Sequence, residues 1–232
     1  MTELVLDTCP SAFAQTRDSL HSLAEKVISP ARAAVAGGEF SLVASQGGFG
    51  TPPLPDGTVI RVEGASLVVE RAGAQSQQQA ISSLKAAGEF VGLDADDLDD
   101  APLIVDVESA LVLGSAYELA DSVLKELAAE AGAESDPSPI RLWPEHFDIA
   151  FEQGDEAAGR RAGYGLSPGD ENHDEPYFYV GPWVAPDDLT EWTAVGFTGA
   201  ELRWQDLIGT AAPRVVALTF LRERRDALTG TG

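Results

Sequence analysis

The segment Val107–Ala131 constrains the fold more than any other part of the chain. Two apolar stripes run along it at helical spacing. The first stripe consists of Ala110, Leu113, Tyr117, Ala120, Leu124 and Leu127, and the second of Val112, Ala116, Leu119 and Val123. An apolar surface that covers two sides of a helix is typical of a helix that is buried. We therefore expect a central helix here, against which other elements pack.

The residues before this helix predict a mixture of helix and hairpin. Apolar spacing predicts a first helix over Ser11–Ile28, and Pro30 is expected to kink or end it because proline cannot donate a backbone hydrogen bond. Alternating residues in Thr58–Val62 and Ser66–Val69 indicate a hairpin. Ser76, followed three residues later by glutamine, resembles a capping box and predicts a second helix that begins there.

The residues after the central helix are rich in predicted strands. The strands are expected at Ile140–Glu152, Arg160–Leu166, Tyr177–Val180, Thr193–Phe197 and Glu201–Trp204, and a last helix follows at Val215–Ala227. Short connections between strands indicate antiparallel pairing. The predicted fold class is therefore α+β, an antiparallel β-sheet packed with about four α-helices. We expect residues 1–232 to form one domain, within which a helix-rich lobe with a small β-meander, 1–135, and a β-rich lobe with a C-terminal helix, 136–232, can be distinguished.

Charge and composition exclude several classes of partner. The net charge of −23 disfavours binding to nucleic acid or to an anionic membrane. No apolar run approaches the ~18 residues that span a bilayer, and the N-terminal residues lack the basic and apolar segments of a signal peptide. Cys9 is the single cysteine, so the chain cannot form an internal disulfide. These features predict a cytoplasmic protein; they do not predict its oligomeric state.

Histidine, tyrosine and tryptophan are concentrated between Trp143 and Trp183, which indicates a binding site. Side chains alternate between the two faces of a strand, so His146 and Asp148 are expected on one face. Tyr177 and Tyr179 share a face of the next strand but one, and His173 joins them if the chain is already extended there. If the strands are neighbours, all five side chains converge on one surface, with Trp183 available for stacking.

Three functions fit this surface. The first is the binding of a small polar molecule, because aromatic rings with a few polar groups are typical of such sites. The second is a metal-dependent enzyme, in which His146, His173 and Asp148 hold a divalent transition metal and His21, on the first helix, is a further candidate ligand. The third is a protein–protein interaction module. Whether the protein is an enzyme stays open, because no catalytic motif occurs in the sequence.

The motifs GGFGTP and LWPEHFD…SPGD…EPYFYVGPW resemble those of a group of conserved hypothetical proteins of actinobacteria with no assigned function. The resemblance covers most of the chain. It implies no catalytic residue and no cofactor. It implies that the N-terminal and C-terminal parts of the chain fold together, because the motifs lie in both.

Overall fold

The structure is a computed structural model that describes residues 6–132 and 134–230. Its helices are α1 Phe13–Leu23, α2 Ser29–Val35, α3 Leu84–Val91, α4 Val107–Ala129, α5 Trp204–Leu207 and α6 Pro213–Thr229, and a π-helical segment, Ala24–Ile28, connects α1 to α2. Its strands are β1 Val43–Ser45, β2 Gly48–Gly50, β3 Val59–Glu63, β4 Ser66–Glu70, β5 Gln77–Ala80, β6 Arg141–Trp143, β7 Asp148–Gln153, β8 Ala162–Ser167, β9 Tyr177–Pro182 and β10 Ala200–Arg203.

The strands form two five-stranded antiparallel sheets, with the orders β1-β2-β3-β4-β5 and β10-β9-β8-β7-β6. The fold class is therefore α+β, as the sequence predicts. The chain divides into two compact units. The β1–β5 unit comprises residues 9–118 and 142–147, and the β7–β10 unit comprises the described residues up to Thr8, residues 119–141 and those from Asp148 onward. The predicted lobes, 1–135 and 136–232, have other limits, and their assignment stays a prediction.

Within the part of the chain that the structure describes, no helix combines the length and the apolar character that crossing a lipid bilayer requires. Residues 1–5 of the N-terminal segment, for which the sequence predicts no signal peptide, lie outside the described residues.

The sheet of the β1–β5 unit is a meander. Its hairpin β3–β4 has the predicted position, with Val62 opposite Leu67. Helix α4 approaches this sheet closely at Gly114. A Cβ atom there would lie 2.7 Å from the backbone carbon of Gly47, so only glycine leaves room for this approach. One turn further along α4, Glu118 accepts a hydrogen bond of 2.9 Å from the backbone nitrogen of Gly47. The N-terminal half of α4 is thereby held at the β1–β2 turn.

The first helix does not end at Pro30 but continues to Val35. The backbone nitrogen of Ser29 donates to the carbonyl of Ala24, five residues earlier, so the helix widens to π geometry just before the proline. Pro30 then lies in the first turn of α2, where a missing N–H is tolerated. The widened turn thus lets the helix pass a residue that would normally terminate it.

The capping box predicted at Ser76 is wrong. Residues Gln77–Ala80 form β5, which pairs with β4 and places Gln78 opposite Val68. The helix begins later, at Leu84, where the side chain of Ser83 accepts a 3.1 Å hydrogen bond from the backbone nitrogen of Ala86. Sheet pairing therefore prevails over the local capping pattern at Ser76. The helix is capped instead by Ser83, seven residues further along the chain.

The single strand predicted over Ile140–Glu152 is also wrong. Residues 144–147 form a turn between β6 and β7, in which the backbone nitrogen of Phe147 donates to the carbonyl of Trp143. Phe147 adopts a φ of 57°, a left-handed conformation that costs a non-glycine residue about 1–2 kcal/mol. Its side chain is fully buried in the β1–β5 unit, and the hydroxyl of Tyr117 donates a 2.6 Å hydrogen bond to its carbonyl. Burial and this hydrogen bond stabilise the turn.

The core of the β7–β10 unit lies on one face of its sheet. That face carries Ile149, Phe151, Tyr164, Leu166, Phe178 and Val180, all of which are buried. Helix α6, which has Pro213 in its first turn, packs against β9 and β10. Arginines of α6 form ion pairs with α4, among them Arg222 with Glu126 at 3.1 Å. The strand predicted at Thr193–Phe197 is absent, because that segment is a bend that leads into β10.

The central helix is confirmed, since every residue of both predicted stripes is buried. Leu124 has no exposed surface, whereas Leu111 on the same helix is 51% exposed. We expect Leu124→Ala to lower the free energy of unfolding by about 2–5 kcal/mol, because it removes packed methyl groups and leaves a cavity. Leu111→Ala is the matched control and should change it by less than about 1 kcal/mol. Urea melts measure both, and equal losses would contradict the buried position of Leu124.

Candidate functional site

The face of the β7–β10 sheet opposite its core carries the polar residues. Strand pairing places Tyr179 between Gly165 of β8 and Glu201 of β10, and Tyr177 opposite Arg203. Because side chains alternate, these residues point to the same side of the sheet. Asp148 begins β7 on this side as well, and the hydroxyl of Tyr179 donates a hydrogen bond to its carboxylate.

The ring of Tyr179 lies flat across the sheet because β8 has a glycine beneath it. A Cβ atom at Gly165 would lie 2.7 Å from both Cζ and Oη of Tyr179. Burial raises the pKa of Tyr179 well above its usual value of about 10, and the neighbouring carboxylate of Asp148 raises it further. The phenol therefore stays protonated and donates to Asp148.

His173 lies between two carboxylates. Its Nδ1 is 3.1 Å from Oδ1 of Asp170, and its Nε2 is 3.0 Å from Oε2 of Glu201. The side chains of His173 and Glu201 are only 8% and 6% exposed. Since a carboxylate is an acceptor, only a ring that carries protons on both nitrogens can donate to both partners. This arrangement fixes the position and the tilt of the imidazole.

Both carboxylates are stabilised in their charged form. Burial alone would raise the pKa of Asp170, but hydrogen bonds from the hydroxyl of Tyr177, the backbone nitrogen of Asn172 and His173 lower it below its usual value. Burial likewise opposes the ionisation of Glu201, but donation by the backbone nitrogen of Val195 and by Arg203 lowers its pKa. The site therefore holds two negative charges around one imidazole at neutral pH.

Aromatic rings surround this group. The ring of His173 lies 4.3 Å from that of Tyr177, measured between centroids. Phe197 stacks near Tyr177 at 6.4 Å and meets Tyr179 edge-on at 6.0 Å. Burial raises the pKa of Tyr177, with a further contribution from its hydrogen bond to Asp170, so this phenol also stays a donor. The rings supply apolar surface next to the charged groups.

Two adjacent clefts open beside His173 and Phe197. The first, with a volume of about 230 Å³, is lined by His173 and Tyr177 together with Asn172, Asp174, Glu175, Pro176, Val195, Arg203 and Gln205. The second, of about 450 Å³, is lined by Asp170, Glu171, Asn172, Val195, Gly196 and Phe197. We name them the arginine cleft and the phenylalanine cleft. Asn172 and Val195 line both, so the two clefts are direct neighbours.

The structure brings together four of the residues that the sequence nominates for ligand binding: Asp148, His173, Tyr177 and Tyr179. His146 is exposed in the turn before β7 and belongs to the β1–β5 unit, because the predicted strand is a hairpin. Trp183 lies beyond the end of β9, is 51% exposed and has the guanidinium of Arg161 at 5.2 Å from its ring centre. It lines neither cleft.

The predicted metal site draws its ligands from both units of the structure. Within residues 6–132 and 134–230, no group of three or more His, Cys, Asp or Glu side chains is arranged to hold a metal ion. His146 belongs to one unit and Asp148 and His173 belong to the other, so this site stays a prediction. His21 belongs to the β1–β5 unit, where its ring stacks on Phe147 at 5.1 Å and its Nε2 is 2.9 Å from the carbonyl oxygen of Pro144.

Sequence reasoning missed Asp170, Glu201, Phe197 and Arg203. Asp170 had a local signal, since it lies three residues before His173 in a turn-forming loop, where aspartate often accepts backbone hydrogen bonds. Glu201 and Arg203 had none. They reach the site only through the register of β10 against β9, which places them opposite Tyr179 and Tyr177.

Comparison of the chain with protein-family models, with curated proteins and with solved structures found no match. The resemblance to actinobacterial proteins therefore stays a prediction. What the site can do is inferred from its own geometry.

The contact between Tyr179 and Gly165 can be tested by substitution. Gly165→Ala should lower the free energy of unfolding by about 1–3 kcal/mol, because the added methyl group overlaps both the Tyr179 ring and the Cβ atom of Ala150. Gly163→Ala, on the same strand, is the control, since its nearest neighbour would be the Gly181 carbonyl oxygen at 3.9 Å. Equal stability of the two variants in urea melts would show that the ring does not rest on Gly165.

The lowered pKa values of Asp170 and Glu201 predict a dependence of stability on pH. The unfolded carboxyl groups bind protons below a pH of about 4, whereas the folded ones resist protonation, so these groups stabilise the protein above that pH. Their contribution is lost as the pH falls through the lower folded values. Asp170→Asn should flatten the acidic limb of a plot of unfolding free energy against pH. Asp174→Asn, in the same loop, is the control for the loss of one charge, and identical limbs for all three proteins would refute the assignment.

Proposed function

We propose that this protein binds a small polar molecule in the clefts beside His173 and Tyr177, on the sheet face that also carries Asp148 and Tyr179. The observation that carries the proposal is the fixed imidazole of His173, which borders the arginine cleft and is held by a carboxylate on each ring nitrogen. A side chain oriented in this way on a cleft wall is preorganised, so a ligand does not have to bear the entropic cost of ordering it.

The chemistry of the lining supports binding of a polar molecule in preference to an apolar one. Tyr177 and Phe197 supply ring surface, while Arg203, Gln205 and Asn172 supply hydrogen-bond donors and acceptors. Such a combination of a few convergent polar groups with aromatic walls is common in small-molecule sites. The acidic composition of the chain supports neither nucleic acid nor an anionic membrane as the partner, and we propose a cytoplasmic location.

Protein–protein interaction is a second candidate, because exposed apolar residues follow β9. Trp183, Val184 and Leu189 are each more than half exposed within one loop. Clustered apolar exposure of this kind is typical of contact surfaces. If this loop is the functional surface, Trp183→Ser should abolish association with a protein partner and leave small-molecule binding unchanged.

The binding proposal is tested with a variant that fills the clefts. Val195 lines both clefts and is 44% exposed, so Val195→Trp should block them without disturbing the core. The probe is a panel of amino acids, amines, organic acids and sugars, screened against the intact protein by ligand-observed NMR. We expect at least one class of compound to bind the wild type and to lose binding in Val195→Trp and in His173→Ala.

His146→Ala is the matched control, because it removes a histidine from an exposed turn that lines neither cleft. It should bind the panel like the wild type. Thermal melts of all variants verify that they are folded. Binding that survives Val195→Trp, or that is lost in His146→Ala instead, would place the ligand elsewhere and contradict the proposal.

A further inference from the structure

The arginine cleft presents a cation that is only partly neutralised. Nε of Arg203 donates to Oε1 of Glu201 at 2.9 Å, and the side chain is 49% exposed. Among the described residues, Glu201 is the only ion-pair partner of Arg203. The terminal nitrogens of its guanidinium can therefore donate to a carboxylate of a ligand, in the two-pronged geometry that arginine favours. The amide of Gln205, which lines the same cleft, adds a further donor.

The phenylalanine cleft has the opposite character. Asp170 and Glu171 supply carboxylates there, and the ring of Phe197 forms part of its wall. The Asp170 side chain is 37% exposed, so one of its edges remains accessible although it holds His173 and Tyr177. An ammonium group is attracted both by carboxylates and by the face of an aromatic ring. This cleft therefore favours a cationic group.

A ligand with a single negative charge does not suit the arginine cleft. Asp174 and Glu175 also line that cleft, and the whole chain carries a net charge of −23. A simple anion would approach Arg203 against this field, whereas a molecule that brings its own positive charge is not repelled as a whole. A simple cation, in turn, would use the phenylalanine cleft and leave Arg203 without a ligand.

We propose that the two clefts together bind a small zwitterion, with its carboxylate on Arg203 and Gln205 and its ammonium group on Asp170, Glu171 and Phe197. The inference rests on the proposed function and gives its ligand a chemical class. Asn172 and Val195, which line both clefts, are the residues that the middle of the ligand would contact. The separation of its two charges is set by the distance between the clefts.

The test compares amino acids with their two halves. The probes are β-alanine, γ-aminobutyrate and ε-aminocaproate, with butylamine and butyrate as the single-charge counterparts, titrated into the intact protein by calorimetry at low salt. We expect one amino acid of matching length to bind about tenfold more tightly than either counterpart, because its second contact forms without a further loss of translational freedom. Butylamine that binds as tightly as the best amino acid would overturn the inference.

Charge-removing variants assign each end of the ligand. Arg203→Gln should reduce the affinity for the amino acid to that for butylamine and leave butylamine unaffected. Glu171→Gln should weaken the amino acid and butylamine alike. Glu89→Gln, at an exposed position of α3 in the other unit, is the control for the loss of one negative charge and should change neither.

The outcomes separate this inference from the proposed function. If sugars or organic acids bind and lose binding in Val195→Trp, while no amino acid binds, the clefts are a ligand site but the zwitterion assignment is wrong. If no compound of any class binds, both are wrong. Variants are compared only after thermal melts show that they are folded, and Arg203→Lys, which keeps the charge but loses the two-pronged geometry, should fall between the wild type and Arg203→Gln.

Discussion

The arrangement of both clefts depends on one imidazole that joins two carboxylates. Asp170 and Glu201 lie on opposite sides of β9 in sequence, and His173 connects them through its two ring nitrogens. The carboxylate of Glu201 also accepts a hydrogen bond from the backbone nitrogen of Val195. It therefore fixes the segment that carries Phe197 as well. Removing one partner from a buried hydrogen bond costs about 1–3 kcal/mol, because the remaining polar group is left without a partner. The loop that carries Asp170 and His173, the strand β10 and the bend at Val195 are thus ordered together.

Much of the fold can be predicted from the spacing of apolar residues, provided that the spacing is regular over a long segment. Helix α4 and the β3–β4 hairpin were predicted because their apolar spacing extends over the whole element. The predictions failed where a short pattern fits two structures. Ser76 looks like a helix cap, but the glutamines that follow it form the edge strand β5. Residues 144–147 look like part of a strand, because phenylalanine, as at Phe147, is common in strands. Only tertiary contacts of the Phe147 ring reveal the turn.

The candidate site could be predicted from the sequence only where the alternation of side chains along a strand decides which face a residue occupies. Asp148, Tyr177 and Tyr179 lie on one face because alternation holds within β7 and β9 and because the strand between them contributes Gly165. The position of His146 could not be predicted in this way, because it lies in a turn and the alternation of side chains does not continue through a turn. Glu201 could not be found from the sequence, because its place depends on the register between β9 and β10 and on a bend that no local pattern marks.

The charge distribution explains why one arginine matters in an acidic protein. Arg222 and Arg225 of α6 pair with Glu126 and Glu130 of α4, where they hold two helices together. Arg203 differs because, within the part of the chain that the structure describes, Glu201 is its one ion-pair partner, and because it lines a cleft. In a chain with so large an excess of acids, the surrounding field disfavours any molecule that is negative overall, so under the proposed function Arg203 would favour ligands by the arrangement of their charges. The proposed selectivity requires no specialised catalytic group, only two neighbouring clefts, one lined by Arg203 and the other by Asp170, Glu171 and Phe197.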